Sequence, residues 1–276
     1  DDELIASAMV EGRYLYAPEA KLVHNHPGLI DDNPGSALNR IRNCDNEKMR
    51  DAYSAENYNK DKLTFRRRVR QIYKRQYGGS KVKVGVCIPC TDYVHADFAF
   101  CLAQMYAACF PNHINPIIIS HKGPVIAFSR QALVDSALDI GCEYMLFLDS
   151  DMVFPPQTLI RLLSHDKGYV CADASKKREP FGSVVKGMKG EALDHTGTEE
   201  GLVQITGVSP AVALVKASVF DQLEMPYFNT PYTNDRFESE DRHLGRRIQE
   251  QGVECYCDMG LSKHIGHIGC KTYFLR

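Results

Sequence analysis

The chain contains no apolar run approaching the roughly 20 residues that a membrane-spanning helix needs, so no transmembrane segment is expected. Residues 1–16 do not read as an apolar leader, so none is expected there. Net charge is nearly absent: 33 basic residues stand against 35 acidic ones, a formal balance of -2. Any polyanionic partner therefore has to be argued from a local cluster rather than from the whole chain. Ten cysteines are present, at irregular spacings. They form neither a disulfide framework nor an orthodox zinc finger, and read as the reduced thiols of a cytoplasmic protein.

What is present centres on Tyr144-Met-Leu-Phe-Leu-Asp149-Ser150-Asp151, followed by Met152-Val-Phe-Pro155-Pro156. Five apolar residues are too few for a helix and suit a strand buried on both faces, with its C-terminal end delivering Asp149 and Asp151 into a cleft. In open α/β sheets that end is where ligands bind. Two acids one residue apart repel each other unless the chain turns there and a cation sits between them. Hard oxygen ligands in small number suit Mg²⁺ or Mn²⁺ shared with a diphosphate. An Asx turn with solvated acids is the plainer alternative.

From Lys81 onward strand-like and helix-like segments alternate. Strands are expected near 82–88, 116–120, 144–151, 169–172, 205–215 and 253–257, and helices over 96–110, 127–140, 156–165, 217–223 and 241–251. This pattern predicts an α/β fold, a mixed but mainly parallel sheet with helices on both faces. Residues 176–200 read as a mobile loop and 227–238 as a further loop. Gly78-Gly79-Ser80 marks a boundary between an N-terminal extension, 1–80, and a main domain, 81–276. Within the extension, Lys62 to Tyr77 is a basic amphipathic helix carrying Arg66, Arg67, Arg68, Arg70, Lys74 and Arg75, either a solvated face or a contact for an anionic surface.

Three features in order make 81–276 resemble a GT-A fold glycosyltransferase of the family 2 type, with its Rossmann-like sheet: Ala127-Phe-Ser-Arg130-Gln131 before a helix, Leu148-Asp149-Ser150-Asp151 after the third strand, and Glu240-Asp241 opening a late helix. The resemblance implies a metal-dependent, inverting transfer of a sugar from a nucleotide-sugar donor, most simply a UDP-sugar, to an acceptor hydroxyl. It implies that Asp149 and Asp151 hold Mn²⁺ or Mg²⁺ and the donor, with Asp151 the more direct ligand, and that Asp241, beside Glu240, is the catalytic base. His267, in Gly266-His-Ile-Gly269, is the candidate third metal ligand, with His264 behind it. Thr91, Asp92 and Arg130 fall where the family holds the nucleotide; Ser129 and Gln131 depart from the family's Ala-Arg-Asn pattern. Residues 1–80 resemble the closing third of a second such domain: Asp1-Asp2-Glu3, Gly12, His24 and His26 echo Glu240-Asp241, Gly252, His264 and His267.

The acceptor is the open question. Signal-less tandem transferases of this look resemble those of phages, some of which modify hydroxymethylated pyrimidines in DNA, and the Arg66 to Arg75 segment would serve that acceptor through phosphate contacts in the host cytoplasm. A saccharide, lipid or protein hydroxyl is the rival. Two other classes remain. A sugar-1-phosphate nucleotidyltransferase needs a glycine-rich, arginine-bearing loop that Ile88-Pro-Cys-Thr-Asp92 does not supply. An inactive nucleotide- or carbohydrate-binding module would lack the base or the acids.

Overall fold

The computed structural model describes residues 66–67, 81–177, 182–196, 200–233, 236–269 and the backbone of 272–274. The chain divides into two compact units, Asp1–Gln76 and Tyr77–Arg276. In the first unit only Arg66 and Arg67 are described, both helical; Arg66 is buried rather than presented to solvent. The echo of a second domain and the rest of the basic segment lie outside the described residues.

The second unit begins with β1 (Val82–Cys90), helix α1 (Ala96–Cys109), a 3-10 turn at Phe110–Asn112, β2 (Ile114–Lys122) and α2 (Ile126–Asp139). Next come β3 (Tyr144–Leu148), the short β4 (Met152–Val153), α3 (Thr158–Ser164), β5 (Tyr169–Cys171), β6 (Lys186–Gly187), β7 (Leu202–Gly207), β8 (Val212–Lys216) and α4 (Ala217–Phe220). The chain finishes with the hairpin β9 (Tyr232–Thr233) and β10 (Arg236–Phe237), α5 (Glu240–Glu250), β11 (Cys255–Asp258), α6 (Met259–Ser262), β12 (Gly266–Ile268) and β13 (Thr272–Phe274).

Eight strands form one sheet in the order β2-β1-β3-β8-β5-β11-β7-β6. The pairings make β2, β1, β3, β5, β11 and β6 run one way, with β8 and β7 running against them. This is the mixed, mainly parallel α/β sheet that the alternation predicts. Its two faces follow from strand alternation. On β3, Met145 and Phe147 join Leu133, Val134, Leu138, Leu244 and Ile248 on the side of α2 and α5. Leu146 and Leu148 join Phe98, Met105, Leu159 and Leu162 on the side of α1 and α3. All four of these β3 side chains are fully buried, which explains why the strand reads as an unbroken apolar run.

Local chemistry corrects several expectations. The stretch 205–215 is two strands, broken at Val208-Ser-Pro-Ala211, and they pair with different neighbours. Gly207 and Pro210 are the turn signals that announce the break. The loop 227–238 contains the β9–β10 hairpin, and the tail pairs as β12–β13. The segment 176–200 is fastened at its described residues by the bridges Ser175↔Ser183 and Lys186↔Ala192. Helix α5 sits close on the 208–211 turn: a Cβ on Gly245 would come within 2.7 Å of Val208. That contact fixes where the N-terminus of α5 presents Glu240 and Asp241.

The C-terminal end of β11 is tied to α3 by the fully buried Asp258. Its carboxylate accepts from Arg161 Nε (2.6 Å) and Nη2 (2.7 Å), lies 2.7 Å from His165 Nε2 and caps α6 at Leu261 N (2.8 Å). Burial raises the Asp258 pKa, but the bonds from Arg161, Leu261 N and His165 outweigh it and hold the value below 3.8. A carboxyl depressed in the folded state stabilises the fold above its unfolded pKa and loses that contribution as pH falls through the folded value. Urea midpoints measured from pH 7 to pH 2.5 should therefore fall more steeply for the wild type than for Asp258→Asn. The gap between the two should narrow below about pH 4; equal slopes would show that Asp258 carries no folding-linked proton.

Candidate active site

The carboxyl ends of β1 and β3, the N-termini of α2 and α5 and the tail strand β12 supply the predicted site residues. After β3 the chain turns as expected, with Met152 N donating to Asp149 O (3.2 Å). The turn sends the two acids to different partners.

Asp149 faces Arg130. Both of its oxygens accept from Nη2, at 2.8 and 3.1 Å, while Nη1 of the same guanidinium donates to Glu240 Oε1 at 2.5 Å. Arg130 is therefore a latch between the tip of β3 and the first residue of α5, and its side chain is only 6% exposed. Burial alone would lower the Arg130 pKa, but Asp149 and Glu240 outweigh it and hold the guanidinium charged. The motif carrying Arg130 lies inside the opening turns of α2 rather than before the helix.

Asp151 faces His267 and Lys177. Strand β12 pairs with β4 in the register His267↔Met152, and Ile268 N donates to Asp151 O (2.8 Å), so the ladder itself sets His267 beside the acid. His267 Nδ1 donates to the Ser175 carbonyl (2.9 Å), which leaves Nε2 directed at Asp151 Oδ1, 3.5 Å away. That carboxylate oxygen is buried and makes no hydrogen bond among the described residues. On a neutral imidazole these are two lone-pair atoms opposed across a short gap. Two ligands bonded to one divalent cation at about 2.1 Å stand roughly 3.0–3.5 Å apart, so the pair fits a small hard cation. The residues present thus suit Mn²⁺ or Mg²⁺ held by few protein ligands; among the described residues no cluster of three or more His, Cys, Asp or Glu side chains forms a complete cage. Lys177 Nζ donates to the other oxygen, Asp151 Oδ2. Burial pushes the Asp151 pKa up, but His267 in its protonated form and Lys177 outweigh it and bring it down to about 2.

Asp241 follows Glu240 in the first turn of α5, where the helix dipole favours a carboxylate. Its Oδ1 accepts from the Ser239 hydroxyl and from Arg242 N. It lines a cleft of about 790 Å³ with Lys186, Glu238, Arg242, Arg246 and Glu250 among the walls; Asp149 and Asp151 are not in that lining. One residue from Glu238, the hairpin exposes Tyr232 and Phe237, whose rings lie 4.9 Å apart. Thr91 and Asp92 are exposed beyond β1, with Asp92 in a solvated pair with Lys122 (3.4 Å). His264 is exposed on the turn after α6, whereas His267 is the histidine brought to Asp151.

Behind the site lies a buried pair that the sequence did not single out. Asp173, just past β5, accepts from Ala174 N, Val184 N and Val185 N on Oδ1, and its Oδ2 lies 2.8 Å from His195 Nε2. Asp173 thereby ties the 183–185 segment to the sheet beside Ser175, the residue that orients His267. The eight described cysteines are free, and strand residues Cys87, Cys171, Cys255 and Cys257 are core packing. No helix among the described residues is long and apolar enough to cross a membrane.

No protein-family model matches this chain, and no curated protein matches it. Among solved structures it resembles A197 from STIV, with a TM-score of 0.46 and 16% identity over 68% of this chain and 86% of that one. A likeness of that order speaks to neither activity nor substrate.

Proposed function

We propose that residues 81–276 are a metal-dependent, inverting glycosyltransferase that moves a sugar from a nucleotide-sugar, most simply a UDP-sugar, to an acceptor hydroxyl. One observation carries the reading: Asp151 Oδ1, buried and without a hydrogen bond among the described residues, opposes His267 Nε2 at the end of the central strand. Asp151 and His267 would hold the cation, with Asp149 locked by Arg130 alongside. A bound Mn²⁺ or Mg²⁺ supplies Lewis-acid stabilisation of the charge on a departing nucleoside diphosphate. Thr91 and Asp92, at the neighbouring strand end, would take the nucleoside. Asp241 accepts the acceptor's proton as the new bond to the anomeric carbon forms and the bond to the diphosphate breaks, a single displacement that inverts configuration. Glu240, already bonded to Arg130, positions that helix end and leaves the proton to Asp241.

For the acceptor, the described residues favour a saccharide. The cleft beside Asp241 balances Lys186, Arg242 and Arg246 against Glu238, Asp241 and Glu250, which suits a neutral polyol better than a phosphate chain, and Tyr232 with Phe237 offers an apolar platform at its rim. A hydroxymethylated pyrimidine in DNA is the second reading, carried by the arginine-rich segment, of which Arg66 is buried.

The test is Asp241→Asn. Transfer should drop about 10²- to 10⁴-fold while UDP binding in Mn²⁺ stays within twofold, because the base acts only on the acceptor. Loss of UDP binding would move Asp241 out of that role. A salt series on the wild type separates the acceptors, since transfer to DNA would weaken steeply with added NaCl and transfer to an oligosaccharide would not.

A further inference from the structure

The ion pair between Lys177 and Asp151 has a role beyond neutralising a carboxylate. We infer that Lys177 is an exchangeable counter-ion: it holds Asp151 while no cation is bound, and on loading Asp151 gives up Lys177, whose ammonium passes to the donor's diphosphate. This rests on the glycosyltransferase reading and adds to it the order in which the site's charges are exchanged.

Three features support it. The lysine is rooted next to the site: Ser175 is buried, orients His267 through its carbonyl and bridges Ser183, while Lys176 N donates to Gly182 O at 3.0 Å. Only the side chain of Lys177 therefore has to move, and a four-carbon stem allows that without refolding. Next, the Lys177 side chain is 39% exposed and that of Asp151 is 28% exposed, so the ammonium can leave toward solvent at small cost. Last, the two oxygens of Asp151 are differently engaged: Lys177 takes Oδ2, whereas Oδ1 is left opposite His267 with no hydrogen bond among the described residues.

Charge then decides the exchange. Asp151 with Lys177 is neutral, but an ammonium and a dication on one carboxylate repel each other across a few ångströms. A diphosphate gives Lys177 another anionic partner, so cation and diphosphate should each strengthen the binding of the other, by the same factor in both directions.

The experiment is a Mn²⁺ titration followed by electron paramagnetic resonance, with and without saturating UDP, on wild type, Lys177→Met, Lys177→Arg and Asp151→Asn, each checked for folding by thermal melting. In Lys177→Met, Mn²⁺ without UDP should bind roughly tenfold tighter than in wild type, while UDP at saturating Mn²⁺ binds roughly tenfold more weakly. Lys177→Arg should keep the wild-type order. Unchanged or weaker Mn²⁺ binding in Lys177→Met, or unchanged UDP binding, overturns the role of Lys177 while leaving an Asp151-dependent cation site standing. Wild type that binds no Mn²⁺ with or without UDP, or Asp151→Asn that binds it as well as wild type, overturns the cation site and this inference with it.

Discussion

Replacing Arg130 with methionine should cost the fold about 3–5 kcal/mol, the usual penalty for removing one partner of a buried ion pair. The guanidinium is the shared counter-charge of Asp149 and Glu240, whose side chains are 27% and 14% exposed. Without it two carboxylates confront each other at the junction of β3 and α5 with little water to solvate them. The loss is read as a fall in the urea midpoint at pH 7. Adding Asp149→Asn and Glu240→Gln to the methionine variant should restore at least half of it, because the repulsion disappears. Arg130→Lys should not substitute, since one ammonium cannot span two carboxylates with the spread of a guanidinium fork. A methionine variant within about 0.5 kcal/mol of wild type would mean that the latch contributes no more than a surface pair does.

Asp151→Ala is expected to reduce Mn²⁺-dependent hydrolysis or transfer of a UDP-sugar by about 10³-fold, the scale of losing the principal stabiliser of developing charge. Stability should change far less than in the Arg130 variants. Lys177, 39% exposed, can hydrate its ammonium once its partner is gone, and removing Asp151 relieves a buried oxygen that makes no hydrogen bond among the described residues. Activity that survives with its Mn²⁺ dependence intact would remove Asp151 from the cation site. The two variants thus separate the paired acids of the turn: Asp149 is expected to show itself mainly in the denaturation curve, Asp151 mainly in the rate.

Much of this architecture is legible from residue order. The five apolar residues before Asp149, the 3.6-residue spacing of Leu133, Val134, Ala137 and Leu138, and the glycines at 141 and 252 place β3, α2 and α5 within a few residues of their observed limits. The misses have local causes. Gly207 and Pro210 signal a break inside 205–215 that apolar character conceals. Two-residue strands such as β6, β9 and β10 are too short for alternation to register. Asp173 with His195, and Asp258 with Arg161 and His165, carry no motif; each is an ordinary charged residue until the fold buries it.

By itself the sequence determined the α/β layering, the turn after the central strand and the set of acids and histidines available to a site, because periodicity and turn chemistry act over a few neighbouring residues. Tertiary structure alone decided how those groups are shared out. Arg130 meets Asp149 and Glu240 across 19 and 110 residues of chain, and Asp151 meets His267 because β12 pairs with β4. Which carboxylate is latched by Arg130 and which faces Lys177 and His267 depends on strand pairing and burial, and those are set by the packing of distant segments.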